Sequence, residues 1–168
     1  MADRDDQRDV IDELRRQVRE LTDRWEILQL LASYGPAVDS GSAEATAALW
    51  TEDGTYDTFP KPLVGREEIA EMVRGERHQS YVHSGCGHLI GIPHIRLSGD
   101  TAVVVGYSQL VLRDEAADGY RVWRTSVNRW ELVRTSDGWR VTRRVNRLLD
   151  GSPESHELLA DAVRSPQS

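Results

Sequence analysis

The chain has 168 residues, 39% hydrophobic and 29% charged, which is enough apolar material for one core and too much for a disordered chain. Its 28 acidic and 21 basic residues give a formal net charge of −7, and such a surface repels phosphate backbones, which argues against nucleic-acid binding. The single cysteine, Cys86, cannot form an intrachain disulfide, and the sequence has no Cys/His spacing of a zinc site. The charged N-terminus does not resemble a signal peptide and no run of about 18 apolar residues predicts a membrane span, so we expect a cytoplasmic protein.

The segment from Arg8 to about Ala37 has a helical pattern, because its apolar residues recur at spacings of three and four. Thr22 or Asp23 is a candidate N-cap for a second helix within this segment. Pro36 predicts a kink or a break close to it.

The sequence divides into three parts. Residues 1–21 are a sparsely apolar helical arm, which either lies on its own domain, crosses to a partner subunit or remains a solvated helix. Residues 22–150 form the main domain. Residues 151–168 contain a short helix after Pro153 and then a tail.

Two short helices and a strand are predicted between the long helix and the sheet. The stretch "GSAEATAALWTEDGTYDTF" predicts a short Ala-rich helix, an Asp-Gly turn and then a strand through Tyr56 and Phe59, which Pro60 and Pro62 end. Residues 65–79 predict one short helix with an apolar face.

Four β-type segments follow: "HLIGIPHIRL", "TAVVVGYSQLVLRD", "YRVWRTSVNRWELVRT" and "GWRVTRRVNRLL". The short turns between them predict an antiparallel meander. In the third segment neither alternating set of side chains is purely apolar, so one face packs on helices while the other lines a cavity or an interface. The predicted fold class is α+β, a cone-shaped curved antiparallel sheet wrapped around the N-terminal helices, with a pocket for a small hydrophobic molecule.

Asp39 and His88 are the candidates for chemistry. Asp39 either caps the helix that follows it or lies on the inner wall of the cone, where a carboxylate orients an imidazole. A histidine beside apolar residues, as His88 is, is more often structural, but near a carboxylate it is the commonest general acid–base. His94 shares the strand parity of His88, and His83 lies in the preceding loop within reach of the pocket mouth; both compete for the role.

Polar residues on the predicted strands are candidates for binding a substrate, although each can equally be a satisfied sheet residue. Ser126 and Asn128 share one face, and Tyr56 and Ser108 lie on other strands. Cys86 has no basic neighbour and reads as an inert small residue. No third ligand joins the two catalytic candidates, so we expect no metal and no cofactor.

The order of the elements, from Thr22 to Leu149, resembles the SnoaL-like branch of the nuclear transport factor 2 fold. The stretches that carry the resemblance are "YGPAVDSGSAEATAALWTEDGTYD", "GHLIGIPHIRLSGDTAVVVGY" and "ELVRTSDGWRVTRR". The resemblance implies a cone-shaped α+β barrel. That fold hosts dehydratases, isomerases, dehydrochlorinases, polyketide cyclases, epoxide hydrolases and binding proteins, so it does not give the function.

Within this branch the motifs are similar to those of scytalone dehydratase. The resemblance assigns the catalytic Asp to Asp39 in "VDSG" and the catalytic His to His88 in "HLIG". It assigns binding positions to Ser126 and Asn128 in "SVN", and to Tyr56 in "YDTF".

Two departures set this chain apart from that family. Ser108, in "GYSQ", stands where the family has its second catalytic His, and Val38 stands where a Tyr precedes the family Asp. Scytalone is therefore not the expected substrate. The carboxylate–imidazole pair alone also resembles the one that dehydrochlorinases and bile-acid dehydratases of the superfamily use.

The sequence thus predicts a cofactor-independent lyase or isomerase that acts on a small, apolar, cyclic hydroxy- or keto-compound. Tyr34, on the apolar side of the helix that ends at Asp39, completes the list of substrate-binding candidates. The alternatives are a ligand-binding module, a polyketide cyclase, and an epoxide hydrolase for which Arg124 is available but a second Asp is missing.

An open curved sheet leaves a broad face that a neighbouring subunit can cover. Trp123, Trp130 and Trp139 are the candidates to cover it, and we expect a homodimer or a homotrimer.

Overall fold

The computed structural model describes residues 2–164. Its elements are α1 (Ala2–Asp39), α2 (Ala43–Ala47), β1 (Trp50–Asp57), β2 (Leu63–Val64), α3 (Gly65–Arg74), α4 (Glu76–Ser84), β3 (Cys86–Ile90), β4 (His94–Ser98), β5 (Thr101–Asp114), β6 (Gly119–Thr135), β7 (Gly138–Leu148) and α5 (Pro153–Val163). The helices come first and the long strands later, so the chain is an α+β fold, as predicted.

The seven strands form one curved, unclosed sheet. Six of them follow the order β2–β1–β7–β6–β5–β3, and β4 pairs with β5 beside this series. Strands β5, β6 and β7 are the predicted antiparallel meander. Strands β3 and β4 both pair antiparallel with β5, β3 at its C-terminal half and β4 at its N-terminal half. Strand β1 joins the far side of β7 in parallel, a pairing that the sequence pattern did not predict.

The core lies between the concave face of this sheet and the helices. The buried face of α1 carries Ile27, Leu31, Tyr34 and Val38, which recur at spacings of three and four and therefore point to one side of the helix. They pack in one cluster with buried residues of α3 and with large side chains of the sheet, including Trp130. This apolar burial is the main stabilising contribution to the fold.

Helix α1 is longer and more continuous than the sequence predicted. The hydroxyl of Thr22 donates to the backbone carbonyl of Val18, four residues earlier, as it does inside a helix, so a second helix does not begin there. The helix also continues past Pro36 to Asp39. That extra turn carries the carboxylate of Asp39 over the sheet.

Three predicted boundaries in the middle of the chain were wrong. The single helix over residues 65–79 is two helices that meet at Gly75, and the strand before it ends at Asp57 rather than at Phe59. The first β-type segment is two strands separated by residues 91–93, because Pro93 cannot donate to a sheet ladder. His88 and His94 therefore lie on different strands.

The N-terminal part of α1 and one end of the sheet expose apolar side chains. Trp130 and Trp139 are buried in the chain's own core, so the prediction that they cover the open face was wrong, whereas Trp123 is 49% exposed. Within residues 2–164, no helix is both long and apolar enough to cross a membrane. The arm exposes five large apolar side chains, Val10, Ile11, Leu14, Val18 and Leu21, and Trp25, one turn beyond the arm, is exposed as well.

Gly35 sits where α1 comes closest to the sheet. A Cβ atom at this position would overlap the backbone carbonyl oxygen of His88. The absence of a side chain at Gly35 therefore lets the helix end lie directly against strand β3.

We expect Gly35→Ala to lower the free energy of unfolding, although an Ala normally stabilises a helix interior by about 1 kcal/mol relative to Gly. The clash with His88 must be relieved by moving backbone, which costs more than the gain in helix propensity. Urea denaturation measures the effect. Ala32→Gly at an exposed position of the same helix is the control and should cost about 1 kcal/mol. A more stable Gly35→Ala variant would contradict the close approach.

Candidate active site

The site is built around a carboxylate–imidazole pair that joins the end of α1 to strand β3. Oδ1 of Asp39 lies 2.6 Å from Nδ1 of His88, and Oδ2 accepts the backbone N–H of His88 at 2.7 Å. Both side chains are largely buried: the exposed fraction is 21% for Asp39 and 12% for His88. The alternative that Asp39 caps the next helix was wrong, because the N-cap of α2 is Ser42 and both carboxylate oxygens of Asp39 accept hydrogen bonds from His88 instead.

The carboxylate determines how the His88 ring can be used. An ionised carboxylate only accepts hydrogen bonds, so Nδ1 of His88 carries the shared proton and Nε2 of the neutral ring keeps a lone pair. Asp39 is also the last residue of α1, where the helix dipole places partial negative charge. The helix end and the carboxylate both place negative charge on the Nδ1 side of the ring, so Nε2 is the nitrogen that is available to accept a proton.

The pKa of Asp39 reflects two opposing effects. Burial by itself raises it, but the hydrogen bonds from the ring and the backbone N–H of His88, with a weaker one from Cys86, hold the pKa below the ordinary value of 3.8. Asp39 is therefore ionised at neutral pH, as a group that stabilises an imidazolium must be.

Cys86 makes a third donor group beside this pair. The donor atoms of Asp39, Cys86 and His88 all lie within 4.8 Å of one another, a spacing that suits a metal ion. However, the distance of 2.6 Å between Oδ1 of Asp39 and Nδ1 of His88 is shorter than the roughly 3.3 Å that separates two ligand atoms of a tetrahedral zinc ion. Burial and the S–H bond to Asp39 also raise the pKa of Cys86 to about 12, so its thiol stays protonated. The present arrangement is a hydrogen-bond network.

A second histidine, His78 of α4, packs on the catalytic candidate. Its ring lies 5.7 Å from the His88 ring in a stacked arrangement, and its Nε2 donates to the backbone carbonyl of Val38 at 2.8 Å. Burial lowers the pKa of His78 and outweighs the hydrogen bond to Val38, which raises it; the neighbouring His88 and Arg124 also act to lower it. A neutral His78 supports the His88 ring without adding a positive charge beside it.

The buried charge of Arg144, on β7, lies deeper in the cone. Its guanidinium carbon is 4.2 Å from the ring centre of Tyr34, 4.4 Å from that of Tyr56 and 4.1 Å from that of Trp130. Such cation–π contacts stabilise a desolvated cation by up to about 2 kcal/mol each. Tyr34 also meets His88 edge-on at 6.2 Å, and burial raises the pKa of Tyr34 to about 12 although the charge of Arg144 opposes it.

Asn128 is the group that holds this arginine. Its Oδ1 accepts Nε and Nη2 of Arg144 at 3.0 and 2.8 Å, and also Nδ2 of Asn146 at 2.8 Å. Its Nδ2 donates to the hydroxyl of Ser108 at 2.8 Å. Within residues 2–164, the buried Nη1 of Arg144 has no hydrogen-bond partner. No carboxylate of the same residues forms an ion pair with Arg144. The site thus contains a positive charge with a free donor.

Two cavities meet at His88. The small inner one, about 10 Å³, is large enough for about one water molecule, and the larger one has a volume of about 280 Å³. Both are lined by Tyr34, Tyr56, His88 and Arg124. The inner cavity is also lined by Ile90, Ser108, Gln109, Leu110, Ser126, Arg144 and Asn146.

The structure brings together most of the residues singled out from the sequence. Tyr34, Tyr56, Ser108 and Ser126 line the inner cavity with His88, and Asp39 lies behind the imidazole. Asn128 lies close by but lines neither cavity; its hydrogen-bonding atoms are occupied by its neighbours rather than directed at a ligand.

Two other histidines lie outside the site. His83 is in the last turn of α4, not in a loop; it is exposed, and its Nδ1 bonds to the backbone carbonyl of Gln79 at 2.7 Å. His94 is exposed at the start of β4. Neither lines the cavities described above.

Sequence reasoning missed His78 and Arg144. His78 belongs to a helix that was not separated from its predecessor, and nothing in its local sequence indicates a second imidazole at the site. Arg144 was one of several arginines in "GWRVTRRVNRLL". Because Arg144 and Asn146 are two residues apart on one strand, they point to the same face of the sheet, and this was the only indication in the sequence. Which residues of β6 they meet could not be predicted, since a β-bulge between Glu131 and Leu132 shifts the register of β6 against β7.

Comparison with known proteins identifies the family. The model of the SnoaL-like domain matches residues 19–145, so the chain belongs to the SnoaL-like family. Its members include polyketide cyclases and dehydratases. The likeness to scytalone dehydratase goes no further than the motif positions given above.

Individual relatives agree with this assignment. Uncharacterized proteins of Mycobacterium tuberculosis and Mycobacterium bovis are 30% identical over 142 residues, covering 81% of this chain and 92% of theirs. An NTF2-like protein with a cystatin-like fold from Novosphingobium aromaticivorans is 40% identical, with a TM-score of 0.83 over 87% of this chain and 94% of that one. A Catenulispora acidiphila protein in complex with S-DNPA is 25% identical, with a TM-score of 0.64 over 73% and 90%. The predicted superfamily is confirmed.

The depressed pKa of Asp39 predicts how stability depends on pH. Because its folded-state pKa lies below 3.8, the ionised carboxylate stabilises the fold above about pH 4, and this contribution is lost as the pH falls through the folded-state pKa. The difference in unfolding free energy between the wild type and Asp39→Asn should therefore be largest at pH 6–7 and shrink towards pH 3. Denaturation in urea measures it. Asp53→Asn, at an exposed position, should show a small difference throughout; a gap for Asp39→Asn that does not change with pH would contradict the assignment.

Proposed function

We propose that the protein is a cofactor-independent acid–base enzyme of the lyase (dehydratase) or isomerase type. It would act on a small, largely apolar, cyclic hydroxy- or keto-compound. The observation that carries the proposal is His88: Asp39 holds its Nδ1, and its ring lines both the inner and the larger cavity. A histidine with this support is suited to moving protons near neutral pH.

In the proposed reaction, Nε2 of His88 removes a proton from a carbon next to a carbonyl, and the C–H electron pair forms an enolate. In a dehydration the enolate expels a hydroxyl from the adjacent carbon, and the imidazolium returns its proton to that leaving group as water. In an isomerisation the proton returns to another carbon of the same molecule. Asp39 stays ionised throughout and stabilises the imidazolium, and neither route transfers electrons to a cofactor.

Arg144 would stabilise the negative charge that develops in this reaction. Its Nη1 is a buried donor without a partner in the described chain, and its side chain lines the inner cavity. An enolate oxygen or a departing hydroxyl there would accept from Nη1, in surroundings where charge interactions are strong. Asn128, which we expected to bind the substrate directly, would instead be a positioning residue that holds Arg144 through two hydrogen bonds.

Epoxide hydrolysis has less support. That reading needs a second Asp near Arg124, and among the described residues no Asp or Glu lines either cavity. A polyketide cyclase or a binding module would use the same cavities, and these two are separated from the proposed activity by experiment.

We expect His88→Gln to slow turnover by about two to four orders of magnitude, because it removes the proton acceptor. The assay incubates the protein with cyclic β-hydroxy ketones in D₂O and follows deuterium uptake beside the carbonyl, and loss of the hydroxyl, by NMR. Asp39→Asn should also turn over more slowly than the wild type, because a neutral amide cannot stabilise the imidazolium that forms in the reaction.

The matched control is His94→Gln, the same change at an exposed histidine, which should leave the rate within about twofold. Compounds that bind without exchange or elimination would identify a binding module. Ring closure of a linear poly-keto chain would identify a cyclase. Full activity in His88→Gln would overturn the proposed chemistry.

We also propose that the chain forms a homodimer or homotrimer. NTF2-like folds commonly form dimers, and the arm of residues 1–21 exposes an apolar stripe together with Trp25. Light scattering coupled to size exclusion should give two or three times the chain mass of 19.0 kDa. Leu14→Glu with Leu21→Glu should reduce this mass if the arm contributes, whereas a wild-type protein that elutes as a monomer would contradict the proposal.

A further inference from the structure

The larger cavity combines an apolar wall with an unusual charge. Seven of its lining residues are tyrosine, phenylalanine, proline, leucine or methionine: Tyr34, Tyr56, Phe59, Pro60, Leu63, Met72 and Tyr81. Its volume of about 280 Å³ is at the lower end for ligand pockets and suits a compound of one or two rings. The wall also contains three cationic residues, Lys61, Arg77 and Arg124, and the rest of it is Thr58, His78 and His88.

These three cations are not balanced by the cavity itself. Lys61 is the only lysine of a chain with a net charge of −7, and yet it lines this wall. Within residues 2–164 no Asp or Glu lines the cavity, and none of the three cations makes an ion pair. The one hydrogen bond from this group runs from Nε of Arg77 to the hydroxyl of Tyr81 at 3.2 Å.

A second groove, on the outer side of the protein, shares residues with this cavity. Its lining contains acidic residues, whereas that of the cavity, among the described residues, contains none. Arg77 and Arg124 also line that groove, together with three acidic residues. Two of those acids are already held by Arg147, which contacts Asp57 at 3.0 Å and Glu154 at 2.6 Å. Within residues 2–164 only the third acid, Asp150, makes no ion pair, so the groove offers one unpaired carboxylate against the two cations that it shares with the cavity.

Arg124 is the cation best placed to reach a bound molecule. It lies on β6 next to a β-bulge, is half-buried, and lines both the larger cavity and the inner one. A guanidinium presents donors in a fork that matches a carboxylate, whereas a neutral ligand would leave these donors without an acceptor.

We infer that the ligand of this cavity is an anion: a cyclic, largely apolar molecule with a carboxylate that Arg124 binds, assisted by Arg77 and Lys61 at the exposed side. The inference rests on the proposed function for its site and names the substrate class. It adds a negative group to the apolar molecule expected from the fold. The ring would lie against the aromatic wall, with His88 on its other side.

The test compares 2-naphthoate with 2-naphthamide, which has nearly the same shape without the charge. Wild-type protein should bind the carboxylate at least about tenfold more tightly, measured by calorimetry at low salt. Arg124→Gln should remove this preference while leaving the affinity for the amide unchanged, which also reports that the variant is folded. Arg121→Gln, on the same strand but outside the cavity and half-exposed, should keep the preference.

A further variant separates this inference from the proposed chemistry. His88→Gln should keep the preference for the carboxylate, because binding of the anion does not require proton transfer. If the carboxylate is preferred but no compound is turned over, the inference stands and the enzyme proposal fails. Equal binding of the two probes, binding of neither, or an unchanged preference in Arg124→Gln would overturn the inference.

Discussion

The two hydrogen bonds that the Asp39 carboxylate accepts from His88 join the end of helix α1 to strand β3 of the sheet. One oxygen binds the imidazole and the other binds the backbone N–H of the same residue, so the carboxylate fixes both the strand and the ring that it carries. A carboxylate at a helix C-terminus is unfavourable with respect to the helix dipole. It is tolerated here because donors on β3 compensate, and because Gly35 lets the backbones approach closely enough for those bonds to form.

The buried charges at the site do not follow the acidic excess of the whole chain. The formal charge is −7, but the buried charges at the site are one carboxylate, held by donors, and one guanidinium, held by a neutral amide and three aromatic rings. A buried cation without a carboxylate is expensive unless something offsets the lost hydration. Asn128 and the rings offset part of that cost and leave the charge of Arg144 unneutralised. This is the state in which it interacts most strongly with an oxyanion.

The sequence predicted the fold class and the central pair for different reasons. The change from helical spacing to alternating strands is a local pattern, and it predicted the α+β order. Asp39 and His88 came from motif positions and from the chemistry of their residue types. The structure adds their separation, and Asn128 shows the limit of such reasoning: its strand face was predicted, but its bonding partners were not. Those partners depend on β7, whose register against β6 is shifted by a bulge that no sequence pattern revealed.

His78 illustrates the same limit from the helical side. Its place beside His88 results from the break at Gly75, which turns α4 away from α3 and directs an imidazole at β3. Burial keeps that ring neutral, so it can pack against His88 in either protonation state of the latter without repelling it. The His88 ring thus has the negative carboxylate of Asp39 on one side and the neutral ring of His78 on the other. In the proposed reaction, a proton on Nε2 would therefore meet no repulsion from either of these two neighbours, and one histidine could both take it up and return it.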